Sequence, residues 1–119
     1  MYFVLHLTMN ENFIAKWQSQ VKKGTLTFII LNVLQNNEFY GYEFIEEVKK
    51  LTKIEIAEGT FYPLMNRLKK EDLVTSKWVE QESGIPRKYF SLTETGKQTL
   101  KEMKVYWDDL SSSIKKIAT

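Results

Sequence analysis

Cysteine is absent from the 119 residues, histidine occurs once and proline twice. Without a thiol there is no disulfide, no thiolate nucleophile and no zinc–thiolate site. With His6 as the single imidazole, neither a histidine triad nor a multi-histidine metal site can be assembled. No run approaches the roughly 18 apolar residues that a membrane span needs. The opening MYFVLHLTM is apolar, but it lacks a basic n-region and a small-residue cleavage site, so it makes a poor signal peptide. Residues 1–8 have two readings of equal standing: an extension ahead of a start at Met9, or an extra strand or turn. The default expectation is a cytoplasmic protein with no membrane partner, no metal and no cofactor. A strong charge imbalance is missing too. The formal charge is +2, too mild to announce a nucleic acid, so such a partner must be argued from where the charges sit.

What the chain does have is apolar material, 43% hydrophobic and 13% aromatic, over a length that suits one domain with a modest core. Phe13, Trp17 and Val21 recur at i, i+4, i+8 and mark one helical stripe, which Gly24 and Thr25 interrupt or restart. In TLTFIILNVLQNN, Leu26, Ile29, Ile30, Val33 and Leu34 lie at helical spacing, and Phe28 and Leu31 widen the face. That helix is buried over most of its circumference and ends at Asn36–Asn37. YGYEFIEEVKKLT is a second, short helix with Gly41, Phe44, Ile45, Val48 and Leu51 inward. Glu43 near its start and Lys49–Lys50 near its end suit the helix dipole. A turn of five or six residues precedes the third helix. There Phe61, Leu64, Met65, Leu68 and Leu73 face in, while Asn66, Arg67, Lys69 and Lys70 face out.

The period changes after Asp72. VTSKWVEQ and RKYFSL are short β-rich runs, and ESGIP between them supplies Gly84 and Pro86 for a hairpin turn. Thr93 stands where an N-cap belongs, ahead of a helix from about Glu94 to Lys116. The resulting fold class is mainly α with a small β-hairpin: a winged helix-turn-helix plus a C-terminal dimerisation helix. The expected layout is residues 1–8 as extension, 9–96 as DNA-binding domain with its N-terminal helix, and 97–119 as dimerisation helix.

In such a fold the third helix enters the major groove by its N-terminal end. With Thr60 as N-cap, Pro63 falls at the third helical position at little cost. Thr60 offers a hydroxyl, Tyr62 a flat face with a phenolic tip, and Arg67 a cation one turn on. Backbone N–H groups of this end can meet a phosphate. Arg87 and Lys88, at the base of the hairpin turn, sit where a wing presses on phosphates or the minor groove. Each feature also has a plainer reading: an outward Arg or Lys on a helix is usually just solvated, and cations on an edge strand discourage aggregation. Helix and wing together are more specific than either alone.

GTLTFIILNVL, YGYE, EGTFYPLMNRL, RKYFSLTETG and the last helix together resemble the PadR family of bacterial transcriptional regulators, in the expected order from about Gly24 to Gly96. The resemblance implies a homodimeric winged-helix repressor that binds an inverted-repeat operator in double-stranded DNA, with the last helix carrying dimerisation. It carries DNA-facing positions onto Thr60, Tyr62, Pro63 and Arg67, onto Arg87 and Lys88, and onto Tyr40 and Tyr42 of the YGYE pattern. For Tyr40, packing is an equal alternative. The short C-terminal part resembles the small-protein branch, some of whose members bind flat aromatic molecules against a tryptophan of the last helix. Trp107 holds the corresponding position, with Trp17 packing nearby against the partner's last helix and Asp108 available to a cationic ligand.

Read for itself, the last helix carries Leu100, Met103, Trp107, Leu110, Ile114 and Ile117 at spacings of 3, 4, 3, 4, 3. That is an a/d seam, and so narrow a stripe points to another helix more than to the domain's own core. Trp107 is then either a large seam residue or a stacking platform for a planar aromatic effector. The competing function is a protein-interaction module, with the seam pairing a different protein and the winged helix serving as scaffold. An enzyme would need a carboxylate pair in a cleft, and the acidic residues are scattered over helix surfaces.

Overall fold

The computed structural model describes residues 2–119, with side chains from Asn10 onward. Its elements are α1 (Tyr2–Leu34), β1 (Phe39–Tyr40), α2 (Gly41–Thr52), α3 (Glu58–Lys70), β2 (Val74–Val79), β3 (Arg87–Leu92) and α4 (Glu94–Ala118). α1 takes in most of the segment 1–8 as helix, where an extra strand or turn was one expectation. The packing of that segment, the Met9 start and the His6 side chain lie outside the described residues.

α1 does not break at Gly24–Thr25, contrary to expectation. A helix-interior glycine costs only about 1 kcal/mol relative to alanine, too little to stop a helix with good flanks. The Thr25 hydroxyl bonds back to the Val21 carbonyl at 2.7 Å, one turn earlier. Among the described side chains of α1, those of its last third enter the core, through Ile30, Leu31 and Leu34. From there the core runs through Phe44 and Val48 of α2, Ile56 of the connecting turn and Phe61, Met65 and Leu68 of α3. Val74, Phe90 and Leu92 of the sheet and Leu100 of α4 complete it.

The expected hairpin is present, with Val74 opposite Leu92 and Val79 opposite Arg87. It gains a third strand that the sequence hides. β1 pairs antiparallel with β3, Phe39 opposite Phe90 and Tyr40 opposite Tyr89, in the order β1-β3-β2. Two residues are too few to show alternation, so no periodicity marks them. Phe61 is the meeting point of this core: its ring lies 5.3 Å from that of Phe44 and 5.8 Å, edge-on, from that of Phe90.

One inward and one outward expectation need correction. Leu51 is 62% exposed; it lies in the last turn of α2, one residue before the helix ends. Lys69 is half-buried, not outward, and its Nζ donates to Ser76 Oγ at 2.7 Å.

α3 closes in a left-handed turn. Asp72 takes φ 61°; its N–H bonds to the Lys69 carbonyl at 3.0 Å and the Leu73 N–H to the Leu68 carbonyl at 3.0 Å. That is a Schellman ending, and it brings Leu73 back beside Leu68. Thr93 then caps α4 as expected, accepting from the Gly96 N–H at 2.8 Å while its hydroxyl donates to the Asp72 carbonyl at 2.6 Å. The start of α4 is thereby pinned to the end of α3. Gly96 is required at this junction, since a Cβ there would collide with the Leu73 carbonyl oxygen. Backbone on both sides leaves little room to yield, so Gly96→Ala is expected to destabilise the fold by about 1–3 kcal/mol, read as a lower urea midpoint at unchanged slope.

Candidate nucleic-acid interface

α3 starts earlier than its sequence suggests. Ala57 is the N-cap residue, with no side-chain cap bond, and the Thr60 and Phe61 N–H groups both reach the Ala57 carbonyl at 2.9 Å. Thr60 is therefore the third helical residue, not the cap, and Pro63 is the sixth. The proline removes the bond that would reach the Gly59 carbonyl, which sits on an exposed turn where water can serve it.

Burial of Phe61, Met65 and Leu68 fixes the rotation of the helix. At about 100° per residue, Gly59, Pro63, Asn66 and Lys70 then form the row opposite the core, and all four are exposed. Asn66 carries both a donor and an acceptor at the centre of that row, the pattern that can read a base edge. The sequence places Asn66 outward without assigning it a role. Its amide, central between Pro63 and Lys70, was the available signal.

On one flank of the row, Thr60, Pro63 and Arg67 face α1. Together with Lys23, Leu26, Thr27 and Leu64 they line an open groove of about 420 Å³. Lys23 and Thr27 belong to this flank, and nothing in the sequence linked them to α3. On the other flank, Tyr62 leans toward α2. Its ring stands edge-on to Phe61 at 5.0 Å and remains 43% exposed. Its hydroxyl fills the space over Gly41, where a Cβ would overlap it. Tyr42, in the first turn of α2, is exposed beside it.

Strand alternation separates the two wing cations that the sequence placed together. The Arg87 guanidinium lies 4.3 Å over the Tyr40 ring, and Tyr40 packs edge-on against Tyr89 at 5.7 Å. Tyr40 is thus a packed member of the sheet that carries an arginine. Lys88 sits on the opposite face, the one toward α3, with its Nζ 5.8 Å from the ring centroids of Trp78 and Phe90. Beyond it the turn exposes Ile85, and Gly84 takes φ 84°, which favours glycine.

The α4 seam divides in two. Leu100 is buried in the protomer's own core and Met103 packs against that core, so a second helix is not what covers them. They face inward because α4 starts against the sheet and α1. Trp107 lies at the division, its ring 5.6 Å from Phe28. Leu110, Ile114 and Ile117 are 40%, 54% and 83% exposed. Trp107 also closes one end of an apolar groove of about 510 Å³, lined by Val21, Phe28, Ile29, Val33 and Leu51 among others. Trp17 and Asp108 are exposed.

A short helix pair, a hairpin directly after the second helix and an outward polar row on that helix define a winged-helix domain of the DNA-binding class. The Transcriptional regulator PadR-like family model matches residues 30–102. The chain is 32% identical to a PadR-like transcriptional regulator of Bacillus cereus, with 84% of this chain and 97% of that one covered at a TM-score of 0.77. A PadR family transcriptional regulator of Eggerthella lenta gives 29% identity, 92% and 96% coverage and a TM-score of 0.81. The transcriptional regulator YqjI of Escherichia coli is 32% identical over 94 residues, 77% of this chain and 44% of that longer one. The chain belongs to the PadR-like family of transcriptional regulators, and is a DNA-binding regulator. No helix among the described residues is long and apolar enough to cross a membrane.

Gly41 offers a way to move Tyr62 without cutting it. Gly41→Ala displaces the far end of a flexible ring, so DNA affinity is expected to fall by about tenfold, the size of one well-placed contact, with little loss of stability. Fluorescence anisotropy on labelled duplex, run beside a thermal melt, measures both.

Proposed function

We propose that the protein is a homodimeric repressor that binds an inverted-repeat operator and is released by a planar aromatic molecule at the dimer centre. The observation that carries this reading is the exposed row Gly59, Pro63, Asn66 and Lys70 on α3, flanked by Thr60, Tyr62 and Arg67 and continued by the wing. An exposed helix face with an amide at its centre and cations at its sides suits the major groove. Lys23 and Thr27 on one flank of it, Tyr42 on the other, and Arg87 and Lys88 of the wing are the backbone contacts of this reading. Arg87 reaches the phosphates from its platform on Tyr40.

The second copy is inferred from α4. Its far half leaves Trp107, Leu110, Ile114 and Ile117 uncovered along one stripe, and each Leu or Ile of that kind is worth roughly 1.5–3 kcal/mol when fully buried. A two-fold pairing of these halves, each lying along the partner's groove of Val21, Phe28 and Leu51, covers both at once. It also sets two copies of α3 about 34 Å apart, one turn of DNA. Trp107 stands at the mouth of that groove with Phe28 behind it. A flat aromatic ring stacked there would act by favouring one dimer geometry over another, since equal affinity for both shifts nothing; in this reading Trp17 packs against the partner's last helix and Asp108 serves a cationic ligand.

Selection from random duplex DNA is expected to return an inverted repeat with half-sites about ten base pairs apart, bound with a steep negative slope of log affinity against log salt. A pool with no enriched site and a flat salt response overturns the reading. Leu110→Lys is expected to give monomers in sedimentation velocity and half-site binding only; a dimer that persists moves the interface elsewhere. A tryptophan emission change with planar dyes that Trp107→Phe abolishes would place the effector. A signal that survives that change removes Trp107 from the site.

A further inference from the structure

The hairpin face that looks toward α3 is built from the opposed pairs Val74 with Leu92, Ser76 with Phe90 and Trp78 with Lys88. Moving outward along it, buried apolar pairs give way to a hydroxyl and then to a cation resting on aromatic rings. From the other side Lys69 of α3 reaches across and donates to Ser76 Oγ at 2.7 Å. Two ammonium groups therefore share the crook between helix and wing. Their nearness is felt: burial first, and then the adjacent Lys69 cation, hold Lys88 below the usual lysine range.

Among the described residues no carboxylate neutralises either of them. The ion pairs join Lys49 to Glu55, Lys77 to Glu38 and Lys97 to Glu94, all elsewhere. Two like charges, half-buried and unpaired, are unfavourable in the free protein. They stay together because their backbones are fixed by other groups, Leu68 and Met65 on the helix and Phe90 on the strand, all buried. An anion between them would turn that repulsion into attraction.

The crook itself names the anion. A helix lying in the major groove and a wing at the adjacent minor groove are separated by one sugar–phosphate strand. That strand must pass between α3 and the hairpin. We propose that Lys69 Nζ, Lys88 Nζ and Ser76 Oγ form a seat for a single phosphate of the DNA backbone, both lysines gripping the same linkage. This rests on α3 and the hairpin being the DNA-facing elements. It adds Lys69 and Ser76 to the interface and assigns Lys88 to the helix side of the wing.

The test uses the whole chain and the duplex it selects from random DNA, made with one uncharged methylphosphonate linkage at a time. For the wild type, one linkage in each half-site should weaken binding by about tenfold, as for a charge-assisted hydrogen bond. Lys69→Gln and Lys88→Gln should each bind the unmodified duplex about tenfold more weakly and lose sensitivity at that same linkage. Without DNA both should melt no lower than the wild type, since each removes a like-charge contact. Different linkages for the two variants, or undiminished affinity, overturn the shared seat and leave the DNA-facing assignment standing. A wild type that selects no duplex overturns that assignment and the seat with it.

Discussion

The inward burial of Phe61 is the constraint from which the outward surface follows. Its ring touches Phe44 of α2 and Phe90 of β3, so one side chain near the start of α3 holds helix, helix and wing together. Such aromatic pairs contribute about 0.5–1.5 kcal/mol each beyond the area they bury. With Met65 and Leu68 also inward, α3 cannot rotate. Turning it by one residue would bury Tyr62, Asn66 and Lys69 in place of Phe61, Met65 and Leu68, and unpaired polar groups in a core cost several kcal/mol. Pro63, Asn66 and Lys70 are exposed because those three are not.

The periodic pattern of α4 divides between a buried half and an open half. Leu100 and Met103 complete the domain's core, while Leu110, Ile114 and Ile117 stay open to solvent. Trp107 stands between, against Phe28 of α1. A dimer formed through the open half joins a helix already locked at its base by the Thr93 cap and the Gly96 junction. In the proposed dimer, a tilt of α4 therefore cannot be absorbed by a loose hinge at Thr93. It must pass into the winged helix, and Trp107 on Phe28 is where it would be felt first.

Much of this was legible from residue spacing, and the failures have physical causes. The hairpin announced itself because ESGIP is turn chemistry, and Thr93 because a capping hydroxyl precedes a periodic run. Gly24 and Thr25 misled because local propensity is weak beside helix propagation. Thr60 reads as the cap because hydroxyls usually cap, yet Ala57 holds the position with no side-chain bond. Leu51 fits the helical period but sits at the end of its helix, 62% exposed. Periodicity reports a face, not what stands opposite, and for that reason Leu100 and Ile117 look alike in the seam. The convergence of Lys23 with Arg67 and of Lys69 with Lys88 is tertiary, and no spacing along one chain encodes it.

The mild net charge of +2 is no obstacle to a DNA-binding surface. At physiological salt the field of a distant charge is screened beyond about 8 Å, so a phosphate meets only the side chains around it. Affinity then follows how many phosphates are contacted, not the sum over the chain. The glutamates of α2 and the aspartates of α4 lower the total without standing at the α3–wing crook. What the local surface needs is cations held in place without partners of their own. Arg87 on a tyrosine ring and Lys88 on a tryptophan meet that need: an aromatic face orients a cation and leaves its charge available to an anion.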